Sequence, residues 1–329
     1  MPRFKADRLV AFTTAALALH GVPEKEARLV AESLVDAELE GQSVHGLQRL
    51  AGIVTGLRDG HLDPRPALHV TGERQGVVLL DAGNALGQVA GVLAVDMAIE
   101  RAEQAGVGLV AVRRSNHLGV PSFYLRRFAA RGMVGLVFSN APPALPPPGS
   151  DTPYLGTNPI AATFPTSRHP VLVDMAISQL GGGHILEKRR LAAAVPEGWA
   201  VGAEGQPAGL AFGGATAGAG NEKAFALALL VEVLAGVLSA AAIGPKVGGI
   251  SPSGKKESNI GHCFIAIDPA AAAGGFVARM DELVDDLRGL SGRVPGDRRH
   301  AERERRLAEG VVIDADLVGT LTEAVGRSI

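Results

Sequence analysis

The chain has 329 residues, 47% of them hydrophobic, and its 32 Lys and Arg nearly balance 34 Asp and Glu for a net charge of −2. That composition excludes a disordered or fibrous chain, and the balanced charge offers no global field for nucleic acid or an anionic membrane surface. A single cysteine, Cys263, excludes an internal disulfide and a zinc–thiolate cluster, and it fits a reducing, cytoplasmic setting.

Residues 6–20 carry Leu9, Phe12, Ala16 and Leu19 on one side, which predicts an amphipathic helix closed by Gly21. Arg3, Lys5 and Arg8 before this apolar run imitate an export signal, but Asp7 and Thr13-Thr14 interrupt it, so the helix is the preferred reading. Pro23 opens a second helix over 24–40, and a third is expected over about 45–59. From Ala67 the pattern turns to β-branched runs at 76–80 and 107–112 with a helix over 88–104 between them. A helix over about 121–130, a strand at 134–139, a proline-rich loop at 142–149 and an apolar run at 170–173 come next. Residues 224–243 are almost wholly apolar, and the charge of Glu232 near their centre argues for a buried helix of a soluble core over a membrane span. A strand at 262–267 precedes charged helical sequence from Ala270, notably 297–309, and a last helix after Asp314. The chain therefore reads as α/β: a helical segment 1–66, expected to pack with C-terminal helices of 272–329 beside a central α/β region, 67–271.

Two glycine motifs invite a phosphate-binding reading. Gly106-Val107-Gly108-Leu109-Val110-Ala111 has the spelling of a dinucleotide fingerprint, but a helix precedes it and a strand comes after, the reverse of what places a helix N-terminus against a pyrophosphate. It reads as a helix-to-strand turn. The stretch Gly213 to Lys223 lacks the Gly-Lys-Ser/Thr ending of a Walker loop; Lys223 at the start of a long helix offers either an anion seat or a solvated lysine.

Chemistry gathers elsewhere. His45 and Arg49 stand four apart, on one face of the third helix if it begins near His45, and pair a proton-exchanging imidazole with a fork that binds carboxylates bidentately. That combination points to a 2-oxo or 2-hydroxy acid. His117, in Ser115-Asn116-His117 between a strand and a helix, is a second proton-transfer candidate, although a lone histidine is more often structural. Asp174 is placed to orient an imidazole, contact a ribose or cap the segment after it. No two histidines have H-x-x-x-H spacing and Asp285-Asp286 reads as solvated surface, so no metal is expected.

These residues carry a resemblance that spans nearly the whole chain. His45-Gly46 with Arg49, Gly106 to Val110 leading into Ser115-Asn116-His117, Asn140, Leu155 to Pro159, Asp174-Met175, Pro196 to Ala200, Lys223 and Pro295-Gly296 together resemble the type-2 malate/L-lactate dehydrogenase family. That family includes sulfolactate, ureidoglycolate and diketogulonate oxidoreductases and cyclic-imine carboxylate reductases. The resemblance implies a non-Rossmann NAD(P)-binding fold around a central mixed sheet, reduction of a 2-oxo or cyclic 2-imino acid by NADH or NADPH, and a homodimer with a shared site. It further implies that His45 and His117 are the site histidines, that Arg49 holds the carboxylate, and that Asp174 belongs to the catalytic set. Asn140, Thr157, Asn158, Val173, Asp174, Met175, Ala176, Glu222, Lys223, Pro295, Gly296 and Asp297 fall on stretches that touch the dinucleotide. Val44 stands where the family usually has serine and Ala224 where it has glycine, and the segments 181–184 and 206–220 are atypical. A non-catalytic dinucleotide- or small-anion-binding relative is the alternative.

Overall fold

The computed structural model describes residues 2–150, 152–177, 200–201, 209–210, 220–249 and 257–329. Short strand β1 (Arg3–Phe4) leads into α1 (Ala6–Ala18), α2 (Glu24–Leu39) and α3 (Leu50–Arg58). Leu9, Phe12 and Ala16 of α1 are buried as the periodicity predicts, whereas Leu19 lies past the helix end and is 69% exposed. The third helix starts later than expected. Residues 43–45 and 47–49 are two single 3-10 turns with Gly46 between them, so His45 and Arg49 do not share one α-helical face. Glu38, in the last turn of α2, causes the break: its carboxylate accepts from Ser43 Oγ (2.7 Å) and from the Leu47 amide (2.9 Å). A Cβ on Gly46 would sit 2.4 Å from Glu38 Oε1, so any larger residue there must displace the carboxylate that makes these bonds.

Among the described residues the central sheet has seven strands. In chain order they are β2 (His69–Arg74), β3 (Val77–Asp81), β4 (Val107–Ser115), β5 (Val134–Ser139), β6 (Ile160–Phe164), β7 (Val171–Met175) and β10 (Ile260–Ile267). Across the sheet the order is β2-β3-β4-β10-β5-β6-β7. Only β3 and β4 run parallel, joined by the crossover helix α4 (Gly87–Ala105); every other neighbouring pair is antiparallel. Gly106 ends α4 with φ +79° and β4 begins at the next residue, which is the helix-to-strand turn expected of the glycine motif. Helix α5 (Ser122–Ala130) comes after β4, and β8 (Ala200–Val201) pairs with β9 (Gly209–Leu210) in a separate two-stranded sheet. The proline-rich stretch is irregular apart from a bridge between Leu145 and Leu155. Strands β2 and β6 had no clear periodic signature: β2 is a polar, exposed edge, and β6 is built from Ile-Ala-Ala-Thr-Phe.

Helix α6 (Gly220–Glu232) continues into a π-helical turn at Val233–Val237. This run is not the uniformly buried helix expected: Ala228, Val231 and Ala235 are buried, while Leu227, Leu230, Val233 and Val237 are about half exposed. Among the described residues no helix is long and apolar enough to cross a membrane. The chain ends with α7 (Phe276–Ser291), α8 (Asp297–Glu309), β11 (Val311–Val312) and α9 (Ala315–Val325). Pairing of β1 with β11 joins the two ends of the chain, and Val311, Ile313, Leu321 and Val325 share one core with the apolar sides of α1, α2 and α3. A second core lies between α4, α5 and the sheet, centred on Tyr124, Phe128 and Phe264.

Candidate functional site

Three separated pieces of chain meet at the end of β4. The 3-10 turns supply His45 and Arg49, and the loop after β4 supplies His117, whose ring stacks on that of His45 with centroids 5.5 Å apart and planes 9° from parallel. Arg49 and His117 line one small cavity together with Gln88, Asn116, Ile53, Leu62 and Leu86. Gly87, the first residue of α4, lets the backbone close on this wall, since a Cβ there would lie 2.4 Å from the carbonyl oxygens of Asn116 and His117.

The electrostatics of this cavity are lopsided. Arg49 is largely buried, and its Nε donates to the Val44 carbonyl at 2.8 Å; no carboxylate faces it among the described residues. Burial alone pulls its pKa down. His117 is held well below the ordinary imidazole range, first by burial, then by the charge of Arg49, then by His45 and His262. The Gly119 amide donates to His117 Nδ1 at 3.2 Å, so the neutral ring carries its proton on Nε2. His262, on central strand β10, lies behind this group with Nδ1 2.8 Å from Ser139 Oγ and Nε2 2.9 Å from Ser115 Oγ. Because the Ser139 hydroxyl is donated to the Asn140 carbonyl (3.0 Å), His262 must donate from Nδ1 and accept at Nε2 from Ser115. Complete burial takes this imidazole down to about 3, so it too is neutral. Asn116 gives its amide hydrogens to the Asn84 side chain (2.9 Å) and the Ala85 carbonyl (2.8 Å), while its own buried Oδ1 has no partner among the described residues.

The candidate cofactor residues fall into two groups. Asn140 and Asn158 are both buried and both donate to Glu232, at 3.3 Å and 2.9 Å, and Glu232 also accepts from the Gly244 amide at 2.9 Å. The lone carboxylate of the apolar run thus ties α6 to the ends of β5 and to the turn before β6. Asn140 is satisfied within the protein, accepting from the Gly261 amide at 2.9 Å and donating to the Ala242 carbonyl at 2.8 Å; buried Asn158 Oδ1 is left without a partner among the described residues. The second group is more open. The Leu172 amide donates to the Pro295 carbonyl (3.2 Å), which seats Pro295 to Asp297 beside the start of β7, whereas the Ile177 amide donates to the Thr157 carbonyl (3.0 Å) just past its end, next to Val173 to Ala176. Met175 and Pro295 are exposed there. Asp297 is bound to Arg288 at 2.7 Å and to the Val294 amide at 2.9 Å. Glu222 and Lys223 lie in the first turn of α6, while 181–184, 196–199 and 213–219 fall outside the described residues.

Among the described residues Asp174 bonds to an arginine and a backbone amide, and not to an imidazole. Its carboxylate accepts from Arg299 Nη1 at 2.6 Å and from the Ser122 amide, at the start of α5, at 3.1 Å. This pair belongs to a network in which Arg126 contacts Asp36 and Glu40, Arg303 contacts Asp36, Arg299 also reaches Glu40, and Ser122 Oγ donates to Glu40 at 2.6 Å. Sequence reasoning did not single out Glu38, Gln88, His262 or Arg299. For His262 a signal was present: a histidine inside Ile-Gly-His-Cys-Phe-Ile, a strand apolar on both faces, needs internal partners. Glu38 offered none, because a carboxylate near a helix end reads as solvated.

Comparison with known proteins places this geometry. Residues 4–322 match the family model for malate/L-lactate dehydrogenase. The chain is 35% identical to the L-sulfolactate dehydrogenase of Methanothermobacter thermautotrophicus, over 96% of this chain and 94% of that protein. It is 33% identical to a Delta(1)-pyrroline-2-carboxylate/Delta(1)-piperideine-2-carboxylate reductase of Pseudomonas putida, over 93% and 92% of the two chains. Among solved structures, the malate dehydrogenase of Pyrococcus horikoshii superposes with a TM-score of 0.89 at 30% identity, covering 99% of this chain and 96% of that one.

Proposed function

The chain belongs to the malate/L-lactate dehydrogenase family, and from that membership and the cavity at the end of β4 we propose an NAD(P)H-dependent reductase of small 2-oxo acids or cyclic 2-imino acids, which in reverse oxidises 2-hydroxy acids. The observation that carries the reading is Arg49: a guanidinium largely out of water, without a carboxylate among the described residues, opening on the cavity that His117 also lines. A buried cation left uncompensated is costly unless an anion arrives to pair with it. Since Nε is already donated to Val44, the two terminal nitrogens remain to take a substrate carboxylate as a bidentate pair.

The dinucleotide fits the residues present: Pro295 to Asp297 at the start of β7, Val173 to Ala176 along it and Thr157 past its end would hold it lengthwise, and the unpartnered Oδ1 atoms of Asn116 and Asn158 are acceptors suited to carboxamide hydrogens. When bound it supplies the hydride for the substrate's C2. The protein's own share is orientation and a proton. Arg49 fixes the carboxylate, and His117 or its stacked neighbour His45 delivers a proton to the substrate oxygen or nitrogen, a contribution of roughly 10²–10⁴ in rate. Substrate binding itself prepares that step: the incoming carboxylate offsets the Arg49 charge, the second cause of the depressed His117 pKa, so the imidazole becomes easier to protonate once the cavity is filled. Ile53, Leu62 and Leu86 give the wall an apolar character, and no second cation lines it among the described residues, which favours monocarboxylates with an apolar remainder over dicarboxylates. A homodimer completes the proposal: a second copy of the chain covers the apolar side chains Leu227, Leu230, Val233 and Val237 of the α6 run, supported by their exposure in the single chain.

The test is a panel of NADH and NADPH against pyruvate, oxaloacetate and Δ1-piperideine-2-carboxylate, monitored by loss of reduced-nicotinamide absorbance. Turnover with one of these acids is expected. Folded protein that binds a dinucleotide yet turns over no acid in a broad panel instead favours the non-catalytic alternative.

A further inference from the structure

A second cluster of ligating side chains lies outside the cavity. His300 and Glu304 stand four apart on α8, and His169 comes from the turn between β6 and β7. The rings of His169 and His300 have centroids 3.3 Å apart, His300 Nε2 is 3.1 Å from Glu304 Oε1, and one ligating atom from each of the three residues lies within 4.8 Å of the other two. No local pattern announces it, because 131 residues separate the two histidines and only the i,i+4 pair is close in the chain.

We propose that His169, His300 and Glu304 form a binding site for one divalent transition-metal ion of the zinc, cobalt or nickel class. Two imidazoles and one carboxylate suit these ions and not magnesium or calcium, which take oxygen ligands almost exclusively. The i,i+4 spacing puts His300 and Glu304 on one side of α8 without strain. His169 is delivered by a tethered turn. Its carbonyl accepts from Thr166 Oγ1 at 2.8 Å, the Ser167 amide donates to Asp281 at 3.0 Å, Arg168 pairs with Asp285 at 2.5 Å, and Pro170 is the next residue. Asp281 and Asp285 both belong to α7, so the turn is fastened before any ion arrives. Asp297 adds a further negative charge facing His169. His169 and Glu304 are exposed, so the ion keeps open positions for water.

None of the three residues lines the Arg49–His117 cavity, so the ion does not take part in the proposed hydride chemistry. Its effect is mechanical. Helix α8 also carries Arg299 and Arg303, which hold Asp174, Glu40 and Asp36; an ion clasping α8 to the β6–β7 turn fastens the same helix at another point.

The experiment uses the full chain freed of metal by chelation, titrated with Zn²⁺ by calorimetry and with Co²⁺ by visible absorption, with thermal unfolding measured in parallel. One equivalent is expected to bind with a rise in Tm, and His300→Ala and His169→Ala are each expected to weaken binding at least tenfold, the effect typical of losing a ligand or its support. Both histidines are at least partly exposed, so their alanine variants should fold, which circular dichroism checks. The proposal is overturned if no ion binds, or if the two variants bind as the parent does, which would assign the ion to other surface histidines such as His20, His61 or His69.

Discussion

Two groups of arginines are taken out of water in this molecule and are served in opposite ways. Around α2, α5 and α8, the guanidinium groups of Arg126, Arg299 and Arg303 meet the carboxylates of Asp36, Glu40 and Asp174, three against three. At the end of β4, Arg49 meets one backbone carbonyl and shares a cavity with His117, which is held neutral. Paired charges of the first kind fix one helix against another. A part-buried cation of the second kind has one backbone carbonyl and no carboxylate partner among the described residues, which is the opening the proposed substrate would fill. By the same contrast the partners of Asp174, namely Arg299 and the Ser122 amide, belong to the paired group.

The sharpest way to break this comparison is to replace one arginine from each group with methionine. Arg126→Met takes one of two arginines from each of the buried carboxylates Asp36 and Glu40, which keep Arg303 and Arg299, and is expected to destabilise the fold by about 1–3 kcal/mol in urea or thermal unfolding. Arg49→Met removes a charge that has no counter-ion, so stability should hold or rise by about 1 kcal/mol while acid reduction is lost. Equal destabilisation by the two variants would show that Arg49 is scaffold as well.

Acid sensitivity sharpens the same contrast on the histidine side. The folded-state pKa of His262 is lowered to about 3 from 6.5, so the group is neutral in the folded chain and takes up a proton only on unfolding across that window. The stability it contributes is full above pH 6.5 and falls as pH drops toward 3, by roughly 3 kcal/mol from pH 6.5 to pH 4 at about 1.4 kcal/mol per unit. His117, lowered in the same direction, adds to that slope. Unfolding free energy measured against pH should therefore be flatter between pH 4 and 6.5 in His262→Gln than in the parent, and an unchanged slope removes His262 from the account. A smaller effect is expected from Arg49→Lys, which keeps the charge and loses the fork: KM for the acid should rise roughly 10- to 100-fold with kcat less affected.

Much of this was legible in the chain, and the exceptions share a cause. Periodicity located α1, α2, α4, α5 and most core strands, and the order of helix and strand around Gly106 correctly removed a false nucleotide motif. Local pattern failed where a tertiary partner overrides it. Glu38 reaches forward to Ser43 and Leu47 and splits the expected third helix, so His45 and Arg49 converge through two 3-10 turns and a glycine and not through helical spacing. Likewise Glu232, weighed in the sequence only as an obstacle to lipid, proves to be the shared acceptor of Asn140, Asn158 and Gly244. The Glu232 role depends on residues tens of positions away, which no window of sequence contains, and the Glu38 role on a carboxylate turning in under its own chain, which periodicity does not register.

The subtlest consequence of the lone cation is a proton count. Arg49 is the second cause, after burial, that holds His117 unprotonated, and a bound carboxylate offsets that charge without removing the burial. Binding an unreactive acid such as a 2-oxo acid analogue should therefore draw protons from solution on the acid side of neutrality, by a fraction of one proton per site. Calorimetric titrations in buffers of different ionisation enthalpy measure that uptake directly. Arg49→Met should abolish it along with most of the affinity, whereas His117→Gln should remove the uptake and leave measurable binding. Uptake that survives in His117→Gln would move the titrating group to the stacked neighbour, His45, and with it the delivery of the proton to substrate.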